Sequence, residues 1–283
     1  MTLKTILDEM NQQLAKAGFE QSHFEARHIV QECLGLTFSQ VASQPDHQLS
    51  EAEAIKLRDW STQRAQGVPL AYLSGHKGFY KYDFLVERGV LVPRPETELI
   101  VETALRRLDE RSVPAQALAD LGCGSGCIGL SLAAEMSALR VWAVDINPKA
   151  CALTTQNAER LGVDVRVRVE NRQVERWMPG MHFDIVVANP PYIAEDDPNV
   201  QPSVKAFEPK EALFSGEEGL EHIRGWANWA IKHLKPKGIF VCEIGATQSR
   251  DVQSLFARVG FDQIQIERDL AGHDRVISGI KAR

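Results

Sequence analysis

The 283-residue chain has no apolar run of membrane-spanning length, and its opening, Met1-Thr2-Leu3-Lys4, leads into a polar amphipathic stretch with no signal-peptide pattern. It has no basic excess. Its 32 Lys and Arg stand against 38 Asp and Glu, which argues against a general nucleic-acid binder but leaves room for a local basic patch. It has only five cysteines, an odd number without framework spacing, so a disulfide scaffold is excluded and reduced thiols in a cytoplasmic protein are expected. Repeats and low-complexity segments are absent. With 44% hydrophobic and 25% charged residues, the composition is that of a folded globular chain, and the length suits two domains or one with an appendage.

The first seventy or so residues read as helices. Leu3, Ile6, Leu7, Met10 and Leu14 recur at helical spacing. Ser22 with Glu25, and Ser50 with Glu53, fit capping boxes. Ala26, Ile29, Val30, Cys33 and Leu34 continue one apolar face after the first, and Ala54, Ile55, Leu57 and Arg58 follow the second. Residues 1–74 are therefore expected to form a small all-helical domain. Residues 75–95 change character: Phe79, Tyr80, Tyr82, Phe84, Val86, Val90, Leu91 and Val92 predict a joining β-hairpin that turns at Arg88-Gly89. Residues 96–283 are expected to form an α/β domain. Strands are predicted over 117–121, 139–144, 163–169, 183–188 and 239–244, with two more near 263–267 and 275–280. Alternation with helical segments predicts a mostly parallel seven-stranded sheet, its last two strands an antiparallel pair.

Three motifs fall at the carboxyl ends of those strands, where open parallel sheets bind ligands. Asp120-Leu121-Gly122-Cys123-Gly124-Ser125-Gly126 is a glycine turn opening a helix. Its spacing is neither the dinucleotide pattern nor a P-loop, so a nucleoside without phosphates is favoured over a pyrophosphate; alone, the segment also fits an ordinary tight turn. Asp145 is placed either to accept hydrogen bonds from two ribose hydroxyls or to cap the helix after Asn147-Pro148. Asn189-Pro190-Pro191-Tyr192 is the sharpest signal. Its prolines remove two backbone donors. The Asn189 side-chain oxygen and the Pro190 carbonyl are then two acceptors able to hold both hydrogens of a planar NH₂ group, and Tyr192 offers an aromatic wall.

Together these motifs resemble the class I S-adenosylmethionine methyltransferases that act on planar amino or amide nitrogens. The remainder resembles one family among them, the peptide chain release factor N5-glutamine methyltransferases, over nearly the whole length. The matching residues are Pro69-Leu70-Ala71-Tyr72 with Gly75 and Phe79-Tyr80, Val92-Pro93-Arg94-Pro95-Glu96-Thr97-Glu98, and Phe207-Glu208-Pro209. Ala212-Leu213, Gly216 with Gly219, and Asp269-Leu270-Ala271-Gly272 with Arg275 complete them. The resemblance implies a Rossmann-like domain that binds S-adenosylmethionine and releases S-adenosylhomocysteine. It places Gly122, Cys123, Gly124, Ser125, Gly126, Asp145 and Asn189 at the cofactor. Asn171 and Arg172, where the family usually has an acid and an aromatic, are expected near the adenine. Gly78 likewise stands where the family often has an acid. Catalysis is assigned to Asn189, Pro190 and Tyr192, and substrate binding to these with Pro191.

The resemblance further implies a Gly-Gly-Gln glutamine of class I release factors as substrate, held by the helical domain, with a monomeric enzyme and no membrane or direct nucleic-acid partner. An adenine-specific DNA methyltransferase shares the Asn-Pro-Pro-Tyr turn but would need a basic grip on phosphates. A non-enzymatic cofactor-binding module has little use for Asn189–Tyr192. Elsewhere, Trp226 and Trp229 are expected to serve packing, and Cys123 and Cys127 to be small fillers, with no metal site. His222, His233 and His273 are expected to be surface or structural, and Arg106-Arg107 a solvated face. Glu243 fits either the crevice or a loop cap. Arg94 and Glu96 fit either a tie to the hairpin or a substrate contact.

Overall fold

The computed structural model describes residues 1–111, 114–198 and 200–282. It resolves into two compact units, Met1–Gly75 with Pro202–Phe207, and His76–Gln201 with Glu208–Arg283.

The first unit is helical: α1 (Leu3–Lys16), α2 (Ser22–Leu34), α3 (Phe38–Ser43), α4 (Glu51–Ala65) and α5 (Leu70–Ser74). Leu3, Ile6, Met10 and Leu14 of α1 are buried against Ala26, Ile29 and Val30 of α2 and Leu57 and Trp60 of α4, as their spacing requires. Ser50 and Glu53 form the expected reciprocal cap of α4. Ser22 does not: it is the first helical residue, the preceding Gln21 makes no side-chain cap, and Ser22 Oγ instead donates to Asn11 Oδ1 at 2.7 Å. A buried hydroxyl here found a tertiary partner that no local pattern announces.

The second unit begins with a two-stranded hairpin, β1 (His76–Phe79) and β2 (Tyr82–Leu85). It turns at Tyr80-Lys81, where Tyr80 takes a left-handed φ of 56°, and not at Arg88-Gly89. The later apolar residues Val90 and Val92 are buried outside any strand, so apolarity there reflects burial alone. Phe79 and Phe84 meet edge to face at 6.1 Å and join the core of the sheet.

The sheet follows: β3 (Ala117–Leu121), β4 (Arg140–Asp145), β5 (Val167–Asn171), β6 (Phe183–Ala188), β7 (Leu234–Glu243), β8 (Phe261–Arg268) and β9 (Asp274–Lys281). Its order is β5-β4-β3-β6-β7-β9-β8, parallel except for β9, which runs antiparallel to both neighbours. Strand β5 starts four residues later than expected. Asp164–Arg166 instead form a 3₁₀ turn that buries Val163 and leaves Val165 in solvent, a contrast that strand periodicity misreads. The helices are α6 (Glu98–Asp109), α7 (Cys127–Glu135), α8 (Pro148–Arg160), α9 (Pro202–Phe207, grouped with the first unit), α10 (Glu221–His233) and α11 (Ser249–Val259).

Alternation sends side chains to two cores. Leu118, Ile185, Val187, Ile239 and Val241 face α6 and α7. Ala119, Val186, Phe240 and Cys242 face α10 and α11, where Trp177 and Trp229 stack at 5.0 Å. Arg107 of α6 corrects the expectation of a solvated face: it is 2% exposed, and its Nη2 donates to the Gln263 carbonyl at 2.7 Å. Its neighbour Arg106 does face solvent, near Glu267.

Candidate active site

Between β3 and β6 the strand order reverses, since the chain has wound outward to β5 and returns. That switch point opens a crevice at the strands' carboxyl ends. A cavity of about 630 Å³ lies there. Gly122, Cys123, Gly124, Ser125, Asp145, Asn189 and Pro191 are on its wall, so the three motifs meet.

The glycine turn is built by alternating left-handed residues, Gly122, Gly124 and Gly126 at φ 67°, 58° and 82°. A Cβ on Gly122 would come within 2.5 Å of the Trp226 ring, and one on Gly126 within 2.7 Å of Leu130. The amides of Gly122 and Cys123 both donate to the Val144 carbonyl, at 2.8 and 3.1 Å, which ties the turn to β4. Asn157 binds it from behind: Nδ2 donates to the Ser125 and Leu85 carbonyls, and Oδ1 accepts from the Leu85 amide. This one buried side chain fastens hairpin strand β2 to the turn. Its interior place on α8 carried no motif.

Asp145 ends β4. Its Oδ2 accepts from the Gly124 amide at 2.9 Å and its Oδ1 from the Asn147 amide at 2.8 Å. Each oxygen keeps a further lone pair, enough to accept one ribose hydroxyl apiece. Burial raises its pKa, opposed by those amides. Bracing the backbone and binding a diol are thus compatible roles for Asp145. Asn147 itself caps α8, accepting from the Lys149 amide at 3.0 Å.

Asn189 follows β6. Its Nδ2 donates to Thr97 Oγ1 at 3.3 Å. Pro190 is buried, and Pro191 is on the cavity wall. The turn is clamped downstream: Gln248 Nε2 donates to the Tyr192 carbonyl at 2.9 Å, and a Cβ on left-handed Gly219 would collide with that carbonyl. Tyr192 is not an aromatic wall of this cavity. Its ring packs in the second core and its hydroxyl donates to Glu243 Oε1 at 3.0 Å.

Asn171 and Arg172 also lie off the wall. Asn171 Nδ2 donates to the Asp145 and Ile146 carbonyls at 3.0 and 2.8 Å, so its amide braces backbone, and Arg172 is exposed. The lining there is Ile146, Ala150, Gln173, Val174 and Glu175. His222 and Trp226, expected to be structural, are on the wall as well. Trp226 both packs and lines, and its Nε1 donates to Glu175 Oε1 at 3.0 Å. Arg94 pairs with buried Glu208, which also accepts from the Val92 amide, and Arg94 is on the cavity wall as well, so both of its expected roles remain open to it. Cys123 and Cys127 are buried free thiols whose pKa values burial raises, Cys127 to about 12. No metal-binding cluster occurs among the described residues.

Asp120 is buried, with Oδ2 accepting from the Gly129 amide at 3.0 Å and Oδ1 without a partner. Burial pushes its pKa up to about 7. A carboxyl whose folded value lies above its unfolded one contributes stability below the ordinary aspartate range and loses it as pH rises through about 7. Asp120→Asn removes that titration. Its melting temperature, followed by circular dichroism, should therefore fall less than that of the wild type between about pH 5 and about pH 8.

A doubly wound sheet of this order, with a glycine turn, an acid at the end of the neighbouring strand and an apolar slot at its switch point, defines the class I S-adenosylmethionine-dependent methyltransferases, and S-adenosylmethionine is the cofactor. The residues able to hold it are Asp145, with a free lone pair on each oxygen, Ile146 and Val174 as apolar lining, and the backbone of Gly122 and Gly124, all on the wall. The fold is shared with solved structures. One is the ribosomal protein L11 methylase of Lactobacillus delbrueckii subsp. bulgaricus, with TM-score 0.51 and 17% identity over 70% of this chain and 84% of that one. Another is the 16S rRNA N2 G1207 methyltransferase of T. thermophilus, with TM-score 0.53 and 18% identity over 73% and 49%. Residues 97–208 match the methyltransferase small domain and residues 5–75 the PrmC N-terminal domain. The release factor glutamine methyltransferase of Caulobacter vibrioides is 35% identical over 99% of this chain and 97% of its own. That of Xylella fastidiosa is 41% identical over 77% and 78%. The chain belongs to the release factor glutamine methyltransferase family. Among the described residues no helix is long and apolar enough to cross a membrane.

Proposed function

We propose that the protein transfers a methyl group from S-adenosylmethionine to the side-chain amide nitrogen of the glutamine in the Gly-Gly-Gln motif of class I peptide chain release factors. The observation that carries this reading is Asn189 on the cavity wall, ahead of two prolines, with its Nδ2 engaged and its Oδ1 available. The activity for which the relatives are named supports the choice of substrate. The helical unit Met1–Gly75 holds the protein substrate, and the enzyme works as a cytoplasmic monomer without nucleic acid.

The bound cofactor supplies a methyl group made electrophilic by its sulfonium. The acceptor amide is a poor nucleophile, because its lone pair is delocalised into the carbonyl. The protein's task is orientation. Asn189 Oδ1 and the Pro190 carbonyl accept the two N–H hydrogens and aim the nitrogen lone pair along the transfer line. Both also stabilise the positive charge that grows on nitrogen as the N–C bond forms and the C–S bond breaks. The surplus proton leaves to solvent afterwards. No side-chain base is needed, and His222, the histidine on the wall, already shares a hydrogen bond of 2.8 Å with Ser215.

Mass spectrometry of a release factor incubated with enzyme and labelled methyl donor tests the proposal. One added methyl on the tripeptide glutamine is expected. Label in duplex DNA with an unmodified release factor would overturn it.

A further inference from the structure

The amide of Asn189 has two ends that differ in chemistry but hardly in shape, so packing alone does not choose which end meets the substrate. Two buried groups and the half-buried Tyr192 do. Asn189 Nδ2 lies 3.3 Å from Thr97 Oγ1, and Thr97 Oγ1 lies 2.6 Å from Glu243 Oε2. Glu243, the last residue of β7, is 1% exposed, and its Oε1 accepts from the Tyr192 hydroxyl at 3.0 Å.

A carboxylate has no hydrogen to give, and this sets the polarity of the whole chain. Thr97 must donate its single hydroxyl hydrogen to Glu243, at a distance usual for a hydroxyl on a carboxylate. Only lone pairs then remain on Thr97 Oγ1, so the NH₂ end of Asn189 turns toward it. The oxygen end is left for the cavity, whose wall Thr97 and Asn189 share. We propose that Thr97 and Glu243 are positioning residues that lock the Asn189 amide with its oxygen toward the substrate NH₂. This inference rests on the reading of Asn189 as acceptor for the substrate amide.

The carboxylate differs from its amide isostere in a specific way. In Glu243→Gln, the Tyr192 hydroxyl still requires an acceptor, so the new oxygen faces Tyr192 and the new NH₂ faces Thr97. Thr97 accepts that hydrogen and turns its own toward Asn189, which must now present Oδ1 to it. The cavity then meets an NH₂ where the substrate also brings one. Protonation of Glu243 reverses the chain in the same way. Burial raises its pKa to about 7, while the Thr97 and Tyr192 hydrogen bonds and Arg275 of β9 oppose the rise and Glu96 adds to it.

The test compares kcat and KM of the full-length enzyme variants T97V, T97S and E243Q, with N189A beside them, on a release factor and S-adenosylmethionine. In T97V kcat should fall about tenfold at unchanged cofactor Kd, and T97S should recover to within about threefold. E243Q should fall at least as far. Wild-type kcat should drop as pH falls through about 7, and E243Q should lack that limb. The relay is overturned if T97V turns over within about twofold of wild type while N189A is inactive, or if T97S is as impaired as T97V. Should T97V not fold, E243Q and its pH profile decide alone: wild-type kcat with the acid limb intact overturns the relay. Normal turnover by N189A would instead overturn the reading of Asn189 itself.

Discussion

Asn189→Ala is expected to lower kcat by about a thousandfold while S-adenosylmethionine binds as before. Two effects combine. The variant loses one of two acceptors that fix the nitrogen's direction, and alignment of reacting groups is worth several kcal/mol. It also loses an oxygen dipole aimed at charge that develops only in the transition state, and deleting one such group typically costs about 10²–10³ in turnover. Cofactor affinity should be spared, because Asn189 shares no hydrogen bond with Asp145 or the glycine turn, the residues proposed to hold the cofactor. Single-turnover methyl transfer and calorimetry separate the two quantities. A variant that kept kcat but lost affinity would place Asn189 at the cofactor and not at the substrate.

Asp145→Ala is expected to do the reverse, weakening S-adenosylmethionine by about a hundredfold or more. Hydrogen bonds to a charged acceptor contribute roughly 1.5–3 kcal/mol each, and this carboxylate has room for two ribose hydroxyls. It also holds the Gly124 amide, so its loss loosens the turn that the cofactor must approach. The fold should persist, since the sheet's cores lie beneath Asp145 and not on it. Calorimetric Kd beside a melting curve checks both halves. An unchanged Kd would show that Asp145 is only the brace of the turn.

The two sites differ in how readable they were. Gly122, Gly124 and Gly126 could be recognised because positive φ selects glycine, and Asp145 because the strand before it ends on an acid. Asn189 stood out because consecutive prolines strip two backbone donors from the end of a buried strand and leave acceptors facing the crevice. Thr97 carried no such mark, and Glu243 only that of a strand-ending acid that fits the crevice or a loop cap: a threonine before a helix and a glutamate at the end of a strand are common, and their partners lie 92 and 146 residues away in sequence. Asn157 escaped for the same reason, 72 residues from Leu85. The misplacements have local causes. Val90 and Val92 looked like strand because burial in a loop and burial in a sheet select the same residues. Tyr192 looked like a wall because a motif names a residue but not its rotamer, and its hydroxyl found Glu243.

The residue pattern by itself determined the α/β class, the helical N-terminal segment, the seven strands and the three motifs at their carboxyl ends. Periodicity, capping and glycine chemistry act over a few residues, and the chain records them directly. Which residues line the adenine slot, that Arg107 is buried, and that a glutamate on β7 governs the amide after β6 were decided only when distant strands came together. Hydrogen-bond polarity and burial belong to neighbours in space, and the chain writes those neighbours far apart.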